Sequence, residues 1–180
     1  METDLFRWKS DTVFGILDVT RDSYLDQSDF DALMAGIADD GEVQTGGEDF
    51  RAAADRYWNA LLEVDADGDS RINAAEFAEQ SRKAFREGDR FDDLMAPLAA
   101  LWFSFYDSDR DGGIEPAEWE AAMGFLGRSS EDAQGAFARL DTDGDGRVSK
   151  EEFVELVRMW WATDDESSPG NWIFGPPPTS

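Results

Sequence analysis

Three stretches of the chain read Asp-x-Asp-x-Asp, beginning at Asp65, Asp107 and Asp141, and a looser copy begins at Asp18. Carboxylates gathered this closely have two chemical uses, acid–base work or the capture of a cation. Their spacing decides between the two. A hard divalent ion such as Ca²⁺ takes six to eight oxygens in a flexible shell, and a twelve-residue loop can supply them from positions 1, 3, 5, 7, 9 and 12. Position 7 offers a backbone carbonyl, so its side chain is free to vary. Position 12 needs a carboxylate long enough to present both oxygens, and position 6 needs a sharp turn of positive φ that suits glycine.

The stretch 107–118 meets every requirement. Its expected ligands are Asp107, Asp109, Asp111, the Gly113 carbonyl, Glu115 (direct or through water) and Glu118, with Gly112 at the turn. The stretch 141–152 also fits, with Asp141, Asp143, Asp145, the Arg147 carbonyl, Ser149 through water and Glu152 around Gly146. The stretch 65–76 keeps Asp65, Asp67, Asp69, the Arg71 carbonyl, Asn73 and Glu76, but Ser70 stands in the glycine position. The stretch 18–29 departs most. It offers Asp18, Thr20, Asp22, the Tyr24 carbonyl, Asp26 and Asp29, with Ser23 in place of Gly and Asp29 in place of Glu. A shorter last carboxylate favours octahedral Mg²⁺ or weaker Ca²⁺ binding. Three Ca²⁺ sites are therefore expected, and a fourth that takes Ca²⁺ or Mg²⁺.

Loops of this kind need rigid flanks. Residues one, four and five positions ahead of each loop are Leu17, Phe14 and Val13; Val64, Leu61 and Ala60; Tyr106, Phe103 and Trp102; and Leu140, Phe137 and Ala136. That spacing is one apolar face of a helix. An aromatic follows the last loop position closely each time, at Phe30, Phe77, Trp119 and Phe153. Position 8 is Leu25, Ile72, Ile114 or Val148, which suits short antiparallel pairing of the first loop with the second and the third with the fourth. The predicted fold is all-α: four helix-loop-helix units in two pairs, a compact globule with short loop–loop β pairings. The expected organisation is an N-terminal pair over 1–88, a C-terminal pair over 89–163 and a tail over 164–180. The break is placed near Glu87–Asp92, where Gly88 interrupts the apolar pattern. Gly127–Ser130 reads as an inter-helix turn with Ser129 or Ser130 as cap, and Gly41–Gly47 as a flexible connection.

Composition narrows the function further. The 180 residues carry 16 Lys and Arg against 41 Asp and Glu, a formal charge of −25, with no Cys and no His. Disulfides, Cys or His nucleophiles, a Ser-His-Asp triad and the usual zinc sites are excluded. Nucleic-acid binding is excluded with them, because neutralising phosphates takes clustered Lys and Arg. An aromatic share of 13 % does not fit a disordered acidic tail. The clustered carboxylates are already assigned as ligands and no Gly-rich phosphate loop is present, so no enzyme is expected. The longest apolar stretch, Met95–Phe105, falls well short of the roughly 20 residues that span a bilayer. The acidic start carries no apolar run behind it, so a cytoplasmic, monomeric protein without membrane contact is expected.

The ligand pattern, the apolar residue at position 8 and the flanking helices together resemble the EF-hand superfamily over residues 5–163. Four hands with a long first-to-second spacing and Asp29 closing the first loop are similar to the sarcoplasmic calcium-binding protein and calerythrin group. That resemblance implies a compact cytosolic Ca²⁺ buffer. The layout is also similar to the photoproteins and luciferin-binding proteins, which enclose a hydrophobic ligand; photoproteins rely on histidines, and this chain has none.

Sensors expose a Met-rich groove on binding Ca²⁺. Five Met against seven Trp and 13 Phe favour a fixed core instead. Trp172, Ile173 and Phe174 are expected to fold back between helices, the alternative being a docking tail with Pro176–Pro178 in polyproline form. The expected function is therefore an intracellular Ca²⁺ buffer that compacts on binding about three ions. A sensor with a target protein and a carrier of a small hydrophobic ligand are the alternatives left open.

Overall fold

Side-chain caps set where the helices begin, and the loops inherit their register from those caps. A computed structural model describes residues 4–32, 47–63, 65 and 68–177. The chain groups into one unit spanning Asp4–Met95 and a second running from Ala96 onward.

In the first unit, α1 (Leu5–Leu17) starts at Asp4, whose carboxylate accepts the Arg7 N–H at 3.0 Å. The strand β1 (Tyr24–Leu25) follows the first loop, and α2 begins at residue 27 and is described to residue 32. The connection 41–47 lies, apart from its last residue, outside the described residues. Next come α3 (Gly47–Leu62), β2 (Ile72–Asn73) and α4 (Ala74–Arg82), which continues into a π turn over Lys83–Glu87. A second π turn covers Phe91–Met95 and groups with this unit, with Phe91 edge-on to Phe85 at 6.3 Å. The strands pair antiparallel, Tyr24 opposite Asn73 and Leu25 opposite Ile72. Leu25 and Ile72 are thereby buried, as are Val13 and Leu61 from the entering helices. Phe14 and Phe77 meet edge to face at 5.8 Å, so an entering and an exiting helix share one core.

In the second unit, α5 (Ala96–Tyr106), β3 (Gly113–Ile114) and α6 (Pro116–Phe125) form one hand, and α7 (Ser130–Leu140), β4 (Val148–Ser149) and α8 (Lys150–Ala162) form the next. Ser129 is the cap of α7 and accepts the Asp132 N–H at 3.1 Å. β3 and β4 pair antiparallel, Gly113 opposite Ser149 and Ile114 opposite Val148. The core is aromatic: Tyr106 lies edge-on to Trp119 at 5.7 Å and to Phe153 at 5.6 Å, and Phe103 meets Phe153 at 6.1 Å. Stiff rings in edge-to-face contact add about 0.5–1.5 kcal/mol per pair beyond burial and resist rearrangement.

The tail turns back onto this same unit. A 3₁₀ turn, Pro169–Trp172, packs on α7 and α8. Ile173 and Phe174 are buried, and Phe174 sits edge-on to Trp160 at 4.9 Å and to Trp102 at 6.1 Å. The Arg139 guanidinium lies 4.0 Å over the half-buried Trp172 ring. Gly170 allows the close approach: a Cβ there would stand 2.7 Å from the Leu156 carbonyl oxygen. Asn171 locks the turn by donating to the carbonyls of Asp165 at 2.9 Å and Glu166 at 3.2 Å. Phe174→Ala is expected to lower stability by about 3–5 kcal/mol, the usual cost of emptying a buried aromatic site. Urea denaturation measures it, and removal of residues 169–180 should act in the same direction.

Candidate metal centres

Each loop is closed by its last carboxylate, and the helix that follows explains how. In 141–152, Ser149 caps α8: its Oγ accepts the Glu152 N–H at 3.2 Å, and Glu152 Oε2 accepts the Ser149 N–H at 3.0 Å. This reciprocal capping box ties position 12 of the loop to position 9. Asn73 and Glu76 form the same box at the start of α4, with Glu76 Oε2 accepting the Asn73 N–H at 3.1 Å. Glu118 Oε2 likewise accepts the Glu115 N–H at 2.9 Å. In the third and fourth loops the second oxygen of this Glu reaches across the loop. Glu118 Oε1 accepts from the Ser108 N–H at 2.7 Å and the Asp109 N–H at 3.2 Å, and Glu152 Oε1 accepts from the Thr142 hydroxyl at 2.8 Å.

Asp29 makes the same connections one carbon shorter. Its Oδ1 accepts the Thr20 N–H at 2.8 Å and its Oδ2 accepts the Asp26 N–H at 3.1 Å, with the side chain buried. Asp29 thus presents both oxygens to the loop.

Position 1 gathers the turn. Asp107 Oδ2 accepts the Gly112 N–H at 3.1 Å, Asp141 Oδ2 accepts the Gly146 N–H at 3.0 Å, and Asp18 and Asp65 accept from Ser23 and Ser70 at 3.0 and 2.8 Å. Position 5 closes the next step, as in Asp111 to the Gly113 N–H at 3.0 Å and Asp145 to the Arg147 N–H at 3.0 Å. Asp22 and Asp69 repeat that bond to Tyr24 at 3.0 Å and Arg71 at 2.8 Å. Position 3 is seen in Asp109, which accepts the Asp111 N–H at 3.1 Å, and in Asp143, which accepts the Asp145 N–H at 3.1 Å.

Carboxylates thus converge. Oxygens of Asp18, Asp22 and Asp29 lie within 4.8 Å of one another, as do those of Asp107, Asp109 and Glu118, and those of Asp141, Asp143 and Glu152. Asp67 lies outside the described residues, so the grouping in 65–76 is described only through Asp65, Asp69 and Glu76. Two unit charges at that separation repel by about 3 kcal/mol at an effective dielectric near 20. Burial raises the Glu118 and Glu152 carboxyls, but the hydrogen bonds from Glu115, Ser108 and Asp109, and from Ser149 and Thr142, outweigh it and hold both pKa values below the ordinary glutamate value. Both carboxylates therefore stay charged at neutral pH. The buried Asp107 Oδ1 has no hydrogen-bond partner at all. An all-oxygen donor set, several negative charges and an unspent buried carboxylate oxygen fit a hard divalent cation.

The φ angles at position 6 are +72° at Ser23, +62° at Ser70, +93° at Gly112 and +94° at Gly146, so serine accepts the conformation that glycine takes freely. Position 4 is left-handed too, at Arg21, Gly68, Arg110 and Gly144, a requirement that the ligand pattern alone did not reveal. A non-glycine residue in this region costs on the order of 1 kcal/mol or more. Ser70→Gly is therefore expected to stabilise the Ca²⁺-loaded first unit by about 0.5–1 kcal/mol, the strain relieved exceeding the extra freedom of the unfolded chain. Thermal melts of the two proteins at saturating Ca²⁺ check this.

Comparison with known proteins agrees with the geometry. The family model for an EF-hand domain pair matches residues 97–158. A probable calcium-binding protein of Oryza sativa subsp. japonica is 32 % identical over 148 residues, covering 81 % of this chain and 75 % of that protein. The chain belongs to the EF-hand calcium-binding proteins. Among solved structures, the EF-hand fold of a sarcoplasmic calcium-binding protein from amphioxus superposes with a TM-score of 0.81 at 17 % identity, over 99 % of this chain and 100 % of that one. A Streptomyces coelicolor calcium-binding protein is 28 % identical with a TM-score of 0.65, over 87 % of this chain and 97 % of that one. The ion is therefore Ca²⁺, as expected from the loops. EF-hand calcium-binding proteins are generally non-enzymatic, in line with the absence of a catalytic motif in the sequence. Among the described residues, no helix is long and apolar enough to cross a membrane.

Proposed function

We propose that this EF-hand protein is a cytoplasmic, monomeric Ca²⁺ buffer that orders and closes around about three Ca²⁺ ions. The ions are held in loops 65–76, 107–118 and 141–152 by the carboxylates and the position-7 carbonyls of Arg71, Gly113 and Arg147. Loop 18–29 is a weaker fourth site, shared with Mg²⁺, built on Asp18, Thr20, Asp22, the Tyr24 carbonyl and Asp29. The two pairs of hands divide between residue 88, where the apolar pattern breaks, and Met95, where the first unit ends, and the tail belongs to the second.

One observation carries the buffer reading over the sensor reading. Phe174 packs on Trp102 of α5 and Trp160 of α8, Ile173 is buried beside it in sequence, and Val19, 44 % exposed, is the one large hydrophobic that is exposed among the described residues. A groove occupied by the chain's own tail has nothing to offer a partner. A bound Ca²⁺ offsets the repulsion among the carboxylates and orders the loop, so binding energy becomes folding energy. Three divalent ions offset about six of the 25 net negative charges.

The sensor reading has one support. The Streptomyces coelicolor neighbour is described as a structural basis for prokaryotic calcium-mediated regulation. Calorimetric titration with Ca²⁺ at physiological Mg²⁺ tests the proposal. About three ions taken up by the whole chain support it; one or none contradicts it.

A further inference from the structure

Within each pair of loops, an arginine leaves its own loop and enters the neighbouring one. Arg147 occupies position 7 of the loop 141–152, where its carbonyl is a proposed ligand. Its Nη2 instead donates to Asp111 Oδ1 of the loop 107–118 at 2.6 Å. Arg71 occupies position 7 of the loop 65–76, and its Nη2 pairs with Asp22 Oδ2 of the loop 18–29, while its Nε lies 3.6 Å from Asp26 Oδ2. Asp111 and Asp22 are both position-5 ligands. The same device thus appears twice, 76 residues apart, in two separate units.

The strand pairing dictates it. Leu25 pairs with Ile72 and Ile114 with Val148, so Arg71 and Arg147, each one residue ahead of β2 or β4, lie diagonally across the ladder from Tyr24 and Gly113. What faces the arginine differs, yet each solution makes room for a guanidinium. Beside the Arg147 side chain is Gly113, where any Cβ would overlap the guanidinium. The Arg71 guanidinium lies over the Tyr24 ring, 4.1 Å from its centroid. The exchange runs one way only. Position 7 of the first loop is an uncharged Tyr and of the third a Gly, so neither can return a cation to its partner.

We infer that Arg71 and Arg147 set the Ca²⁺ affinity of the loops they enter, 18–29 and 107–118, by acting as built-in cations on one ligand carboxylate of each. This rests on the reading that the four loops are the Ca²⁺ sites. The guanidinium neutralises part of the charge that attracts the ion and holds a ligand oxygen the ion would use.

The test uses the full chain with site-resolved NMR titration, the amide of Gly112 reporting on the third loop and that of Gly146 on the fourth. In a Glu152→Gln background, where the third loop of its pair binds alone, Arg147→Gln is expected to lower the Ca²⁺ midpoint at Gly112 about two- to fivefold, the reach of an exposed ion pair. Raising the salt to about 0.5 M should shrink that difference, because the pair is solvent-exposed and screened. A midpoint that stays or rises overturns the inference. So does a Glu118→Gln background in which Arg147→Gln shifts Gly146 as much, since the effect would then be bulk charge. Arg147→Lys, which keeps the charge, should shift Gly112 less than Gln does. Absence of any Ca²⁺ response in the unsubstituted chain would overturn the site reading itself, a separate outcome.

Discussion

Glu152→Gln is expected to weaken Ca²⁺ binding in the loop 141–152 by more than about 100-fold, a larger loss than the 10–100-fold typical when only a group behind a ligand is removed. Glu152 is the point where helix start and metal site coincide. One oxygen is fixed by the Ser149 N–H and the other by the Thr142 hydroxyl, at 3.0 and 2.8 Å. Glutamine keeps one carbonyl oxygen but turns an NH₂ toward a site built of acceptors, and it removes one of the converging negative charges. The capping bond from Ser149 Oγ to the Glu152 N–H does not depend on the side-chain charge, so α8 should persist. Far-UV circular dichroism then stays near that of the unsubstituted protein, while calorimetry loses one binding event. An unchanged stoichiometry would mean that position 12 is not a ligand here.

The second large effect is thermal. Without metal, both loops of the second unit hold carboxylate oxygens within 4.8 Å of one another, at a cost of about 3 kcal/mol per pair before relaxation. Binding that is restricted to the folded state stabilises it by about 2.7 kcal/mol per site when free Ca²⁺ is 100 times the dissociation constant. Two sites in the second unit give about 5 kcal/mol. A unit of this size moves by roughly 4–8 °C per kcal/mol, so Ca²⁺ should raise its melting temperature by about 20 °C or more over the chelated protein. The tail adds to the transition, because Phe174 packs on Trp160 and Trp102 within the same unit. Equal melting in chelator and in Ca²⁺ would contradict the account of loop repulsion.

The helix faces and the strand pairing of Leu25 with Ile72 and Ile114 with Val148 are legible in the sequence because each follows from a local repeat. The burial of Ile173 and Phe174 is legible for a simpler reason: adjacent large apolar side chains do not rest in water. Other features depend on geometry that no repeat encodes. Asp29 reads as a shortened ligand; that it accepts from the Thr20 and Asp26 amides, as Glu118 does from Asp109 and Glu115, is seen only in the folded loop. The left-handed Arg21 and Arg110 are hidden because only two of the four loops place glycine at position 4. The break in the apolar pattern at Glu87–Asp92 overlaps two π turns, Lys83–Glu87 and Phe91–Met95, a winding that the spacing alone does not specify. The arginines that cross between loops need the pairing register before their reach can be judged.

The most direct test of the central claim is the fluorescence of a hydrophobic dye added to the purified protein, first in chelator and then with Ca²⁺ at physiological Mg²⁺. A buffer whose tail already covers its apolar cleft should be looser without metal and closed with it, so the fluorescence falls as Ca²⁺ is added. A rise would mean that Ca²⁺ uncovers an apolar surface, and the protein would then be a sensor with a target to bind.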